Sequence, residues 1–109
     1  MGRPQDQPGR AAYNQALMRE VNERVEEVAG KAWLPEFLCE CADPECMETL
    51  ELSLGEYDAI RTSPIRFPIK PGHDYPEFER ILEENERYAV VEKFGEAADV
   101  VRKLDPRSA

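Results

Sequence analysis

The sequence has little that would mark a familiar catalytic site or a membrane anchor. Its 109 residues hold one histidine and one tryptophan. No apolar run approaches the ~18–20 residues that a membrane-spanning helix needs, so no bilayer span is expected. Met1-Gly2-Arg3-Pro4-Gln5-Asp6 lacks an apolar core segment, which argues against a secretory signal and for a cytoplasmic protein. P-loop, G-x-G-x-x-G and G-x-S-x-G motifs are all missing, as is any internal repeat. The three cysteines are an odd number, which is unsuited to a disulfide framework. At this length there is room for one domain and none for a multi-domain enzyme.

Positive charge is also scarce. Fourteen Lys and Arg stand against 23 Asp and Glu, giving a net charge of −9. Residues 33–60 contain eight acids and no Lys or Arg. A phosphate backbone repels such a field, so direct groove binding to nucleic acid is not expected, and anionic membranes are disfavoured likewise. Two readings remain: acidity that keeps a small protein soluble, or an acidic face that docks on a protein with a basic surface.

Along the chain, residues 1–12 are polar, carry Pro4, Pro8 and Gly9, and read as a flexible tail. Asn14 can cap a helix over 13–32, in which Leu17, Val21, Val25 and Val28 recur at helical spacing. Glu20 to Arg24 and Glu27 to Lys31 are favourable i,i+4 pairs. The narrow apolar stripe can pack on the domain or pair with another helix, so a dimer through this helix is one option. Trp33 reads as a core anchor or a docking residue.

Residues 33–105 then read as one α+β domain. Phe37 to Cys41 predicts a short strand, Asp43-Pro44 a turn, and Thr49 to Leu52 a half-buried strand. Ser53-Leu54-Gly55-Glu56 has capping-box spacing and opens a helix through Tyr57, Ile60 and Arg61. Ile65 to Ile69 predicts an edge strand, because Pro68 cannot donate to a ladder. Pro71-Gly72-His73 is a turn. Segments near 78–83 and 87–93 form a hairpin, and a last helix after Gly95 stops before Pro106. The fold class is therefore α+β, a small and mostly antiparallel sheet with flanking helices and a long N-terminal helix.

The cysteines lie within eight residues as C-x-C-x4-C, at Cys39, Cys41 and Cys46, and His73 sits in the later turn. Residues i and i+2 of a strand point the same way, so Cys39 and Cys41 can face one ion. The Asp43-Pro44 turn returns Cys46 towards it, and His73 can complete a tetrahedron, with Asp43 or water as rivals. Three thiolates and an imidazole are a structural zinc set. Such an ion contributes on the order of 10 kcal/mol when its binding is coupled to folding. The other readings are a redox or metal-sensing thiol cluster and simple free thiols. The same spacing occurs in the zinc-binding segments that follow SET domains, although nothing else here looks like one.

Three thiolates quench the Lewis acidity of zinc, and a fourth protein ligand closes the position that catalysis needs. Deaminase-type H-x-E and P-C-x-x-C elements are absent. A non-enzymatic regulatory or adaptor protein is therefore the leading expectation, docking a protein partner through its acidic face or its N-terminal helix. A thiol switch that releases zinc on oxidation is the alternative, and a small zinc enzyme a weaker one. Glu40, Asp43, Glu45, Arg61 and Arg66 are the candidate partner-binding residues. Arg61, Arg66 and Lys70 form the one local basic run, suited to a phosphate or acidic partner or to the chain's own acids.

Several separated motifs agree in order with a known group. These are Glu36 to Cys41 with Cys46, Leu50-x-Leu52-Ser53-x-x-Glu56-Tyr57 through Arg61, Arg66-Phe67, Pro71-Gly72-His73 and Val90-Val91-Glu92-Lys93-x-Gly95. Over about residues 36–98 the chain resembles small uncharacterised actinobacterial proteins. The resemblance implies a bacterial cytoplasmic setting and joint action of Cys39, Cys41, Cys46 and His73, and it supplies no mechanism. Gly55 and Pro68 depart from the group's pattern.

Overall fold

A computed structural model describes residues 8–29 and 33–107. The elements in order are α1 (Pro8–Ala29), β1 (Glu36–Leu38), β2 (Thr49–Glu51), α2 (Leu54–Ile60), β3 (Arg66–Ile69), β4 (Glu79–Glu84), β5 (Ala89–Lys93) and α3 (Gly95–Lys103). β1 and β2 form an antiparallel pair, and the second sheet has the order β3-β5-β4, also antiparallel throughout. The chain is thus α+β with a long N-terminal helix, and its strands are divided between two small sheets rather than gathered into one. No helix among the described residues is long and apolar enough to cross a membrane.

Most local signals act where expected. The Ser53 hydroxyl accepts from the Glu56 N–H at 3.0 Å, and the Glu56 carboxylate accepts from the Ser53 N–H at 2.9 Å, completing the capping box. Gly55 sits in the first turn of α2, where an added Cβ would meet only the Ser53 hydroxyl at 3.9 Å. Asn85 closes the β4–β5 connection by accepting from the N–H groups of Arg87 and Tyr88. β3 is an edge strand, as Pro68 requires.

The N-terminal helix departs from expectation at both levels. It begins at Pro8, not residue 13, because proline is tolerated in a first helical turn, where N–H groups have no intrahelical acceptor. Residues 8–12 are therefore helical, Asn14 lies inside the helix, and the rest of the expected tail falls outside the described residues. Leu17, Val21 and Val28 face solvent, and of the expected stripe Val25 alone packs partly on the core. The buried face is Ala12, Gln15, Ala16, Arg19 and Asn22. Glu20 and Arg24 form no ion pair among the described residues, and Lys31 lies outside them. Trp33 is exposed rather than a core anchor.

The buried polar side chains of α1 are held by distant backbone. Gln15 donates to the Glu40 carbonyl at 2.9 Å, and Arg19 donates to the carbonyls of Pro64 and Val101 at 2.6 and 2.8 Å. Asn22 donates to the Leu38 carbonyl and accepts from the Leu38 N–H, at 2.8 Å each. The core beneath joins Phe37, Leu50, Leu52, Phe67, Ile69 and Val101 among others, with the Phe37 and Tyr57 rings stacked at 4.4 Å.

Candidate metal centre

The cysteine segment starts as the end of β1. The Leu38–Thr49 register continues for one more bond, from the Cys39 N–H to the Glu48 carbonyl at 2.9 Å. The regular strand stops at Leu38, short of the expected Cys41, because the next N–H turns away to another element. Glu40 donates to the Pro68 carbonyl at 3.0 Å. In an antiparallel strand, the N and C=O of one residue point to the same edge. Pro68 thus faces its missing N–H outward and offers that edge its carbonyl.

Two turns then bring the remaining donors back. Asp43 accepts from the Glu45 N–H through its side chain at 2.9 Å and from the Cys46 N–H through its carbonyl at 3.1 Å. This reverses the chain and places Cys46 beside Cys39. After β3, the Lys70 carbonyl accepts from the His73 N–H at 3.0 Å across Pro71 and Gly72, with Gly72 at φ +91°. Proline followed by a residue of positive φ is the signature of a type II turn, and glycine adopts that conformation without strain.

The result is one cluster. A sulfur from each of Cys39, Cys41 and Cys46 and a ring nitrogen of His73 lie within 4.8 Å of one another. His73 Nδ1 is 3.6 Å from both Cys39 Sγ and Cys46 Sγ. Tetrahedral zinc, with bonds of about 2.3 Å to sulfur and 2.0 Å to nitrogen, separates its ligand atoms by about 3.5–3.8 Å. The donor set and the two 3.6 Å separations fit a four-coordinate ion, and the four residues could hold one.

Their surroundings favour that role. Cys39 and Cys41 are buried, whereas Cys46 and His73 are partly exposed. The Lys70 N–H donates to Cys39 Sγ at 3.2 Å, an outer contact of the kind that supports metal thiolates. A hydrogen bond between Cys39 and Cys41 draws the Cys41 thiol down to about 5 and, with burial, pushes Cys39 up. Burial also raises the Cys46 thiol. An open cleft of about 170 Å³ lies against the cluster, lined by Cys41, Asp43, Gly72, His73, Asp74 and Tyr75.

The five candidate partner-binding residues separate. Asp43 and Glu45 lie in the cysteine turn, half-buried and exposed respectively. Glu40 is fully buried and accepts from Asn22 at 2.7 Å and the Tyr57 hydroxyl at 3.2 Å, and desolvation pushes its carboxyl up to about 7. Arg61 is buried too, clasped by Glu23 at 2.6 Å and by Asp105. Neither is a surface contact. Arg66 pairs with Glu92 at 3.2 Å and Lys70 with Glu48 at 3.9 Å, so the expected basic run is divided among three sets of acids.

Sequence reasoning missed the Lys70 N–H, a backbone donor without a side-chain signature. It also missed the buried Lys93–Glu79 pair, 2.6 Å apart, which accepts Gln15 and the Tyr75 N–H around the carboxylate. A lysine at the end of an apolar strand was the available signal. Comparison of the chain with protein-family models, with curated proteins and with solved structures found no match.

Proposed function

We propose that this chain is a non-catalytic regulatory or adaptor protein whose fold is stapled by a zinc ion on Cys39, Cys41, Cys46 and His73. The observation that carries this reading is the gathering of three sulfurs and one ring nitrogen within 4.8 Å of one another. Such a set suits zinc, and its four protein ligands leave no open position for substrate. Bound zinc would join the β1–β2 loop to the turn after β3, connecting the two small sheets. The partner would be a protein with a basic surface, met by exposed acids including Asp43 and Glu45. A cytoplasmic setting, in a bacterium as the resemblance implies, belongs to the same proposal.

Metal analysis of the full chain purified without added zinc tests it. One zinc per chain, with chelator lowering thermal stability, is the expected result. Substoichiometric metal together with unchanged folding in chelator rejects the structural site.

The partial exposure of Cys46 and the cleft beside Cys41 favour a second reading, a thiol switch. One thiolate would attack hydrogen peroxide, forming a sulfenic acid and releasing hydroxide. A second thiolate would attack the sulfenic sulfur and expel its oxygen as a second hydroxide, giving a disulfide and freeing the ion. Rapid zinc release at low peroxide equivalents, reversed by dithiol, supports the switch, and resistance to peroxide rejects it.

A further inference from the structure

Helix α1 is turned inside out. Its polar residues Gln15, Arg19 and Asn22 are fully buried, while Leu17, Val21 and Val28 are 42%, 44% and 81% exposed. At about 100° per residue the two sets lie on roughly opposite sides of the helix. An amphipathic helix ordinarily does the reverse, and a contiguous exposed apolar strip marks an interaction surface. Leu17, Val21, Arg24 and Val28 are alternately four, three and four residues apart, the spacing of a seam between two helices.

The charges in this seam indicate what covers it. Glu20, Arg24 and Glu27 are exposed on this face, and none of them has an ion-pair partner among the described residues. We propose that α1 pairs with α1 of a second copy of this chain, antiparallel, about a two-fold axis level with residues 22 and 23. In that register Leu17 of each copy meets Val28 of the other. Val21 packs on the aliphatic stem of the opposing Arg24, whose guanidinium reaches the opposing Glu20. The axis generates every contact twice, as a closed isologous dimer requires. Parallel pairing would instead set Arg24 against Arg24, so charge selects the antiparallel arrangement.

Two factors bear on affinity. The helix is already held on its own domain by Gln15, Arg19 and Asn22, so pairing need not order it first. The net charge of −9 on each copy opposes association. Screening over about 8 Å at physiological salt limits that repulsion. A moderate dimer is therefore expected.

The proposal does not depend on the metal reading, and its test reads association alone. Sedimentation equilibrium of the full chain, from low micromolar to near-millimolar concentration, should show mass rising from 12.5 kDa towards twice that value. Leu17→Glu should weaken association at least about tenfold, equivalent to 1.4 kcal/mol, with unchanged circular dichroism and metal content. Val21→Ser is a milder second variant with the same expected direction. Glu20→Arg should weaken the dimer, and Glu20→Arg combined with Arg24→Glu should restore it. A chain that stays at 12.5 kDa throughout overturns the proposal. So does a dimer indifferent to Leu17→Glu and Val21→Ser, or a charge exchange that fails to restore association.

Discussion

Lys93 ends β5 with its ammonium 2.6 Å from the Glu79 carboxylate, and both side chains are wholly shielded from water. Phe78 covers the ammonium at 4.4 Å from its ring centroid, and burial lowers the lysine pKa. Removing one member of such a pair strands the other. Lys93→Met is therefore expected to cost about 3–5 kcal/mol in urea unfolding. Adding Glu79→Gln should recover most of that loss, because the amide oxygen still accepts the Tyr75 N–H. At the metal centre, His73→Ala should weaken zinc by more than the ~10–100-fold typical of an outer-shell change, as measured by competition with a chelating dye. Lys70→Ala keeps the backbone donor to Cys39 and should leave zinc affinity nearly unchanged. The cysteine cluster was legible because the three thiols lie within eight residues and one turn returns the last of them, although the regular strand expected to align Cys39 with Cys41 stops at Leu38. The Lys93–Glu79 pair was not, since its partners meet only when β4 and β5 are in register.

α2 was the most legible element, because its start depends on a side chain three residues from its partner. Ser53→Ala should cost about 1 kcal/mol of stability. Glu56 also accepts from both terminal nitrogens of Arg87, at 2.9 and 2.6 Å, and that pairing holds its carboxyl down at about 2. A depressed carboxyl stabilises the fold fully above its ordinary value near 4.5, and the contribution is lost as pH falls through about 2. Glu56→Gln should therefore reduce stability at neutral pH and flatten its decline on the acid side, as followed by denaturation across that window. Surface exposure and salt keep the effect modest.

α1 shows the opposite case. Apolar periodicity identified a helix but assigned its buried face wrongly, since Gln15, Arg19 and Asn22 donate to carbonyls of Glu40, Pro64, Val101 and Leu38 far along the chain. Four buried polar atoms, on Gln15, Arg19, Glu40 and Arg61, have no hydrogen-bond partner among the described residues. The C-terminal segment ties this helix down as well. Arg107 reaches Glu23, Glu26 and Asp58 at 3.0, 2.6 and 3.0 Å.

For the molecule as a whole, two small sheets and three helices leave little core for each element. Among the described residues, the cysteine loop is joined to β3 and the turn after it by the Glu40–Pro68 bond, the Lys70–Cys39 bond, the Lys70–Glu48 ion pair and the four clustered donors. If zinc occupies that junction, excess chelator should lower Tm by more than about 20 °C, given binding energy on the order of 10 kcal/mol and roughly 4–8 °C per kcal/mol. A circular dichroism melt with and without chelator checks this.

Local chemistry in the chain was enough to establish the α+β class, the capping box, the edge character of β3, a turn at Pro71-Gly72-His73 and the cysteine grouping. Each depends on residues a few positions apart, where backbone geometry leaves few alternatives. The division of strands into two sheets, the burial of Glu40 and Arg61, and the outward apolar face of α1 arose only on folding. They rest on hydrogen bonds and ion pairs between residues 16 to 82 positions apart. Periodicity scores a side chain by its own polarity, whereas burial depends on whether the folded chain supplies that side chain with a partner.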